Sequence, residues 1–134
     1  MTKLVDIEGI GASYATKLSA VGVSSLEDLL QKGSDPKGRS SLADASGVSQ
    51  KLLLKWINRA DLSRIKGIAT QYADLLEVAG VDTVPELAQR NPDNLCAKMV
   101  DVNTEKKLVR KTPSASQVSS WVAPAKSLPR AIHY

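Results

Sequence analysis

The chain has 134 residues, 43% hydrophobic and 24% charged, with 18 basic against 14 acidic side chains for a formal charge of +4, one Cys and no Phe. That size suits one globular unit, or two very small ones sharing a core, and the apolar set, rich in Leu, Ala and Val and poor in aromatics, suits closely approaching helices, so an all-α fold is expected. The lone Cys96 excludes an internal disulfide, the charged start Met1-Thr2-Lys3-Leu4-Val5-Asp6 lacks the apolar core of a signal peptide, and no apolar run nears the roughly 20 residues that span a bilayer.

In chain order, Tyr14, Ala15, Leu18 and Val21 fall at helical spacing, and Gly22 sits where a left-handed cap ends such a helix. Ser24 with Glu27 has the spacing of a capping box, opening a helix through Leu29 and Leu30. Asp35-Pro36 reads as an N-cap followed by proline at the first helical position, Gly47 ends that helix, and Ser49 caps a long helix through Leu53, Trp56 and Ile57. The second half runs in parallel. Tyr72, Ala73 and Leu76 lead to Gly80, Thr83 pairs with Glu86, Asn91-Pro92 opens a helix through Leu95 and Met99, and Ser114 opens one through Val118, Trp121 and Val122. Beyond Leu128 periodicity stops, and residues 129–134 are expected to fray.

The parallel is an internal duplication. Offset by 58 positions, Ile7-Glu8-Gly9-Ile10-Gly11-Ala12-Ser13-Tyr14-Ala15 aligns with Ile65-Lys66-Gly67-Ile68-Ala69-Thr70-Gln71-Tyr72-Ala73, and nine of 24 positions are identical. Trp56 and Trp121 are 65 positions apart, so the second copy has lengthened by about seven residues, and the extra residues carry the basic cluster Lys106, Lys107, Arg110 and Lys111. Residues 98–134 hold seven basic and two acidic side chains, against three and six in residues 61–97. The expected architecture is a compact pseudo-twofold helical domain with a first repeat over 1–62 and a second over 63–128, each ending in a half-unit that carries a Trp.

The segment Ile7-x-Gly9-Ile10-Gly11-x-x-x-Ala15-x-x-Leu18 resembles a helix-hairpin-helix motif, and Ile65-x-Gly67-Ile68-Ala69-x-x-x-Ala73-x-x-Leu76 is similar without its second glycine. Over nearly the whole chain, the spacing of the two hairpins, Asp35-Pro36-Lys37-Gly38-Arg39, the two Trp and the Glu105-Lys106-Lys107-Leu108-Val109-Arg110 run resemble a family of tandem helix-hairpin-helix proteins defined as a domain of unknown function. The resemblance implies sequence-nonspecific binding of a DNA backbone. A glycine turn leaves no Cβ in the way, so amides at the next helix N-terminus approach a phosphate that the helix dipole also favours. The groups so implicated are Gly9, Ile10, Gly11 and Ala12 in the first hairpin and Gly67 and Ala69 in the second. Where many such DNA binders carry lysine two residues after the second glycine, this sequence has Ser13 and Gln71, and Glu8 lies within the first hairpin.

Lys17, Arg64 and Lys66 flank the hairpins and, with Lys106, Lys107, Arg110 and Lys111, complete the candidate nucleic-acid-binding set. The segment from Leu42 to Trp56 also fits a helix-turn-helix reader with Ser49, Gln50, Lys51 and Lys55 facing the major groove, although Leu52, Leu53 and Leu54 suit a buried helix better. Tyr14 and Tyr72 read as core residues with the hydroxyl at the rim, and Trp56 and Trp121 as anchors. With no triad, paired carboxylates, P-loop or companion ligands for Cys96 and His133, no enzyme, metal, cofactor or small-molecule substrate is expected. The leading expectation is a cytoplasmic nucleic-acid-binding module. The alternative is a protein-interaction adaptor that docks a partner or a second copy through the same helices.

Overall fold

The computed structural model describes residues 3–6, 10–68 and 70–133, except the side chains of residues 6 and 70. A 3-10 turn, Leu4–Asp6, precedes eight α-helices: α1 Ala12–Ser19, α2 Leu26–Lys32, α3 Pro36–Ser46, α4 Gln50–Leu62, α5 Thr70–Val78, α6 Val84–Ala88, α7 Pro92–Lys106 and α8 Ala115–Ala125. The fold is all-α as expected; the β pairing among the described residues is an isolated antiparallel bridge between Lys3 and Ser25. The chain divides into two units, Met1–Asp61 with Ala131–Tyr134, and Leu62–Arg130.

In the first unit Ile10, Leu18, Val23, Leu26, Leu29, Leu53, Trp56 and Ile57 are buried. In the second, Ile68, Leu76, Val81, Val84, Leu87, Val118, Trp121 and Val122 are buried. These are the same positions of the repeat. The first five match at the 58-residue offset and the last three at 65, so one packing scheme is built twice from helices whose apolar residues recur three and four apart. Each unit closes on one aromatic pair. Tyr14 meets Trp56 edge-on at 5.1 Å between centroids, and Tyr72 meets Trp121 at 5.2 Å. The half-buried tyrosines and fully buried tryptophans agree with their reading as core.

Both glycine turns have the same construction. Gly22 and Gly80 lie at φ 86° and 98°, a region glycine enters without a Cβ penalty. In each turn the next valine amide reaches back to a helix carbonyl, Val23 to Leu18 at 3.0 Å and Val81 to Leu76 at 2.8 Å. A cation from 58 positions apart then neutralises the helix end: Lys32 Nζ donates to the Gly22 carbonyl at 2.8 Å and Arg90 Nη1 to the Ala79 carbonyl at 3.4 Å. Lys32 and Arg90 are thereby committed to the fold.

The first capping box lies one residue later than Ser24 and Glu27. Ser25 Oγ accepts from the Asp28 amide at 3.2 Å, and the Asp28 carboxylate accepts from the Ser24 amide at 3.2 Å and its hydroxyl at 2.9 Å. Because α2 begins at Leu26, its third residue is Asp28, and Glu27 falls outside the reach of the cap. The 58-residue offset maps Ser25 and Asp28 onto Thr83 and Glu86, where Glu86 likewise accepts from the Asp82 amide at 3.1 Å. Hydrogen bonds from Ser24 hold the pKa of the Asp28 carboxyl below its ordinary value, with a smaller contribution from Lys32. The other expected caps are present, with Asp35, Ser49, Asn91 and Ser114 each accepting an amide three residues on.

Within the C-terminal segment, Ile132 and His133 are held in place rather than frayed. Ile132 is 2% exposed within the core of the first unit, the His133 amide donates to the Ser34 carbonyl at 2.7 Å, and Arg39 donates to the Gly33 carbonyl at 2.9 Å and the His133 carbonyl at 2.8 Å. A segment outside any helix buries one side chain with no helical period to announce it. Its backbone polar groups are satisfied by partners distant in sequence.

Candidate nucleic-acid interface

α7 is the longest helix, 15 residues, and it ends on Lys107, which lies at φ 52° and ψ 46°. Lys107 is the one non-glycine residue with positive φ among those described. An L-residue in this left-handed region costs about 1–2 kcal/mol, which is why helices end there on glycine. The segment that follows is held by Asn103, whose side-chain amide copies a backbone pair: Nδ2 donates to the Val109 carbonyl at 3.0 Å and Oδ1 accepts from the Val109 amide at 2.9 Å. The connection then passes buried Pro113, whose carbonyl lies 3.4 Å from Cys96 Sγ, and enters α8. Eight residues, 107–114, thus join α7 to α8, whereas three uncharged residues, 47–49, join α3 to α4.

This longer connection lies against the start of α5. Gln71 and Tyr72 from α5 and Leu108, Val109, Arg110 and Lys111 from the connection line a cleft of about 400 Å³. Gln71, Arg110 and Lys111 are exposed, and neither cation makes an ion pair among the described residues. The position that held glutamine instead of lysine is therefore bordered by two unneutralised cations from elsewhere in the chain. In a partly enclosed cleft such charges are screened less than on open surface.

The remaining candidates fall in separate places. Gly9 and Ala69, with Glu8, lie outside the described residues. Gly11 is exposed at the N-cap of α1 with extended backbone, φ −81°, and the space where a Cβ would stand has no atom within 4 Å. The α1 start has no side-chain cap and no acidic residue in its first turn. Ala12 is exposed beside it, whereas the Ile10 side chain is buried at 2% exposure. Lys17 is exposed with Nζ 5.6 Å from the Tyr14 ring centroid. Arg64 is half-buried and donates to the Pro129 carbonyl at 2.7 Å, which ties down the end of the second unit. Lys66 and Gly67 are exposed. Gly67 has φ 96°, and a Cβ there would stand 3.0 Å from Trp121 Nε1, so glycine is required both by its backbone and by the tryptophan beneath it. Lys106 is exposed at the end of α7. The cleft residues Gln71, Tyr72, Leu108 and Val109 were not among the candidates. For Leu108 and Val109 the sequence signal was the lengthening of the second copy, which marks an insertion that has to pack somewhere.

Among the described residues no helix is long and apolar enough to cross a membrane, and no group of three His, Cys, Asp or Glu could hold a metal ion. A family model described as Domain of unknown function (DUF4332) matches residues 8–128. The chain belongs to the DUF4332 family. No curated protein and no solved structure matches it. The DUF4332 match takes in both glycine turns, both Tyr–Trp pairs and the whole basic connection, so the family is defined over both copies of the repeat; Ile132 lies beyond it.

Lys107→Gly is expected to stabilise the protein by about 0.5–1 kcal/mol, because glycine relieves the left-handed strain at some cost in unfolded-chain entropy. Thermal unfolding checks this as a rise in Tm of a few degrees. An unchanged or lower Tm would mean that the Lys107 side chain supports the loop.

Proposed function

We propose that this protein is a non-enzymatic module that binds the sugar-phosphate backbone of nucleic acid without reading its sequence. The observation that carries this reading is the cleft in which Arg110 and Lys111, neither of them ion-paired among the described residues, stand beside Gln71 at the start of α5. A strained Lys107 where glycine would be more stable adds to it, since a conformational cost retained at an exposed cation fits a charge kept for a ligand. The segments that contain Gly11 and Gly67 are read as helix-hairpin-helix elements. In the first, the uncapped α1 start and the open space at Gly11 leave backbone amides accessible to a phosphate oxygen. In the second, the cations of the 107–111 segment take the place of the lysine expected at Gln71. Lys66, exposed on the turn, extends the positive surface.

Fluorescence anisotropy of a labelled duplex of arbitrary sequence tests the reading. Neutralising about three or four phosphates gives a log–log salt slope near −3, so affinity falls by about 40- to 150-fold between about 50 and 200 mM salt. Joint reversal of Lys66, Lys107 and Arg110 to Glu is expected to lower affinity at least about tenfold at low salt, with circular dichroism confirming the fold. Absence of duplex and single-strand binding at about 50 mM salt would overturn the reading and favour a protein-interaction adaptor.

A further inference from the structure

The cleft contains a feature that phosphate binding alone does not use. Leu108 is 37% exposed, one of four large hydrophobic residues exposed to that extent among those described, and it stands within the run Lys106, Lys107, Leu108, Val109, Arg110, Lys111. Four cations surround it in sequence, two of them on the cleft wall. The same cleft is lined by Tyr72, whose ring packs against Trp121 at 5.2 Å between centroids. Solvating Leu108 costs free energy that burial elsewhere would recover, and the Asn103 clasp holds its neighbour Val109 in place.

Resting on the nucleic-acid reading above, we propose that the cleft accepts one unpaired nucleotide, so that the protein prefers single-stranded over duplex nucleic acid. The base lies against Leu108 and the Tyr72 ring, and the adjoining phosphates face Arg110 and Lys111. The cleft volume, about 400 Å³, admits one nucleotide, whereas a paired base is held in its stack and does not reach a concave floor. Apolar or aromatic contact with a base face together with cations along the backbone is the recognition chemistry of single strands, and it tolerates any base. The first copy of the repeat has three uncharged residues where this loop stands, so the second unit alone carries this element. Gln71, exposed at the rim, is placed to hydrogen-bond a base edge or a sugar hydroxyl.

The test compares a labelled oligo(dT) strand of about 12 nucleotides with a duplex of equal length at the same salt, using wild type and Leu108→Ala. Wild type is expected to bind the strand about tenfold more tightly, and Leu108→Ala to bring the ratio close to one while the salt slope persists. Because Leu108 is exposed, its truncation leaves the melting temperature near that of wild type, and Leu108→Met is expected to retain the preference. Equal affinities for strand and duplex, insensitive to Leu108, would overturn the nucleotide cleft while leaving backbone binding intact. Binding to neither would remove both. Leu108-dependent binding to vesicles rich in phosphatidylserine, without strand preference, would also overturn it and mark the loop as a membrane contact.

Discussion

Trp121→Ala is expected to destabilise the protein by about 3–5 kcal/mol, read as a fall of at least about 1 M in the urea midpoint. The side chain is 1% exposed, among Val118, Leu76 and their neighbours, and its ring meets Tyr72 while Nε1 lies beneath Gly67. Removing it opens a cavity against three elements at once: α5, the Gly67 turn and α8 itself. The lost aromatic pair adds to the lost burial, typically by about 0.5–1.5 kcal/mol. Trp56→Ala, with the same burial and the matching Tyr14 contact, should cost a similar amount. Against a typical total stability of about 5–15 kcal/mol, either change leaves a marginal protein. An effect below about 1 kcal/mol at Trp121 would show that the second core does not depend on its aromatic pair.

Ile132→Ala has the next largest expected effect, about 2–5 kcal/mol. Its side chain is as buried as those of the core helices, although it lies outside any helix. The His133 amide, donating to Ser34, should be protected from hydrogen exchange in the wild type and lose that protection in the variant. Arg39 gives a second reading of the same dock. Its guanidinium joins the Gly33 and His133 carbonyls, and charge-assisted bonds of this kind contribute about 1.5–3 kcal/mol each. A fraying tail would instead leave Ile132→Ala within about 0.5 kcal/mol of wild type.

Two tyrosine–tryptophan pairs at equivalent places, and two glycine turns each closed by a cation 58 positions away from its counterpart, establish what the duplication preserved. The basic connection between α7 and α8 is what it changed. Sequence periodicity carried the preserved part well, since the helices announce themselves by apolar residues three and four apart and, for most of them, by a capping residue at the start. The error at the first cap was one residue, and the repeat contained its correction: Ser25 and Asp28, not Ser24 and Glu27, align with Thr83 and Glu86.

The sequence by itself determined the all-α class, the glycine turns, the proline-led helix starts and the burial of both tryptophans, because these depend on residues within a few positions of one another. It also singled out the basic run and the glutamine at position 71. Only the tertiary structure decided that Arg110 and Lys111 stand beside Gln71, that Lys107 takes a left-handed backbone, that Arg64 is engaged with Pro129, and that Ile132 enters the first core. Each of these joins groups from separate elements, or sets a backbone angle that local preference opposes. Such arrangements persist because packing of the whole chain outweighs the local cost, and no short stretch of sequence carries that balance.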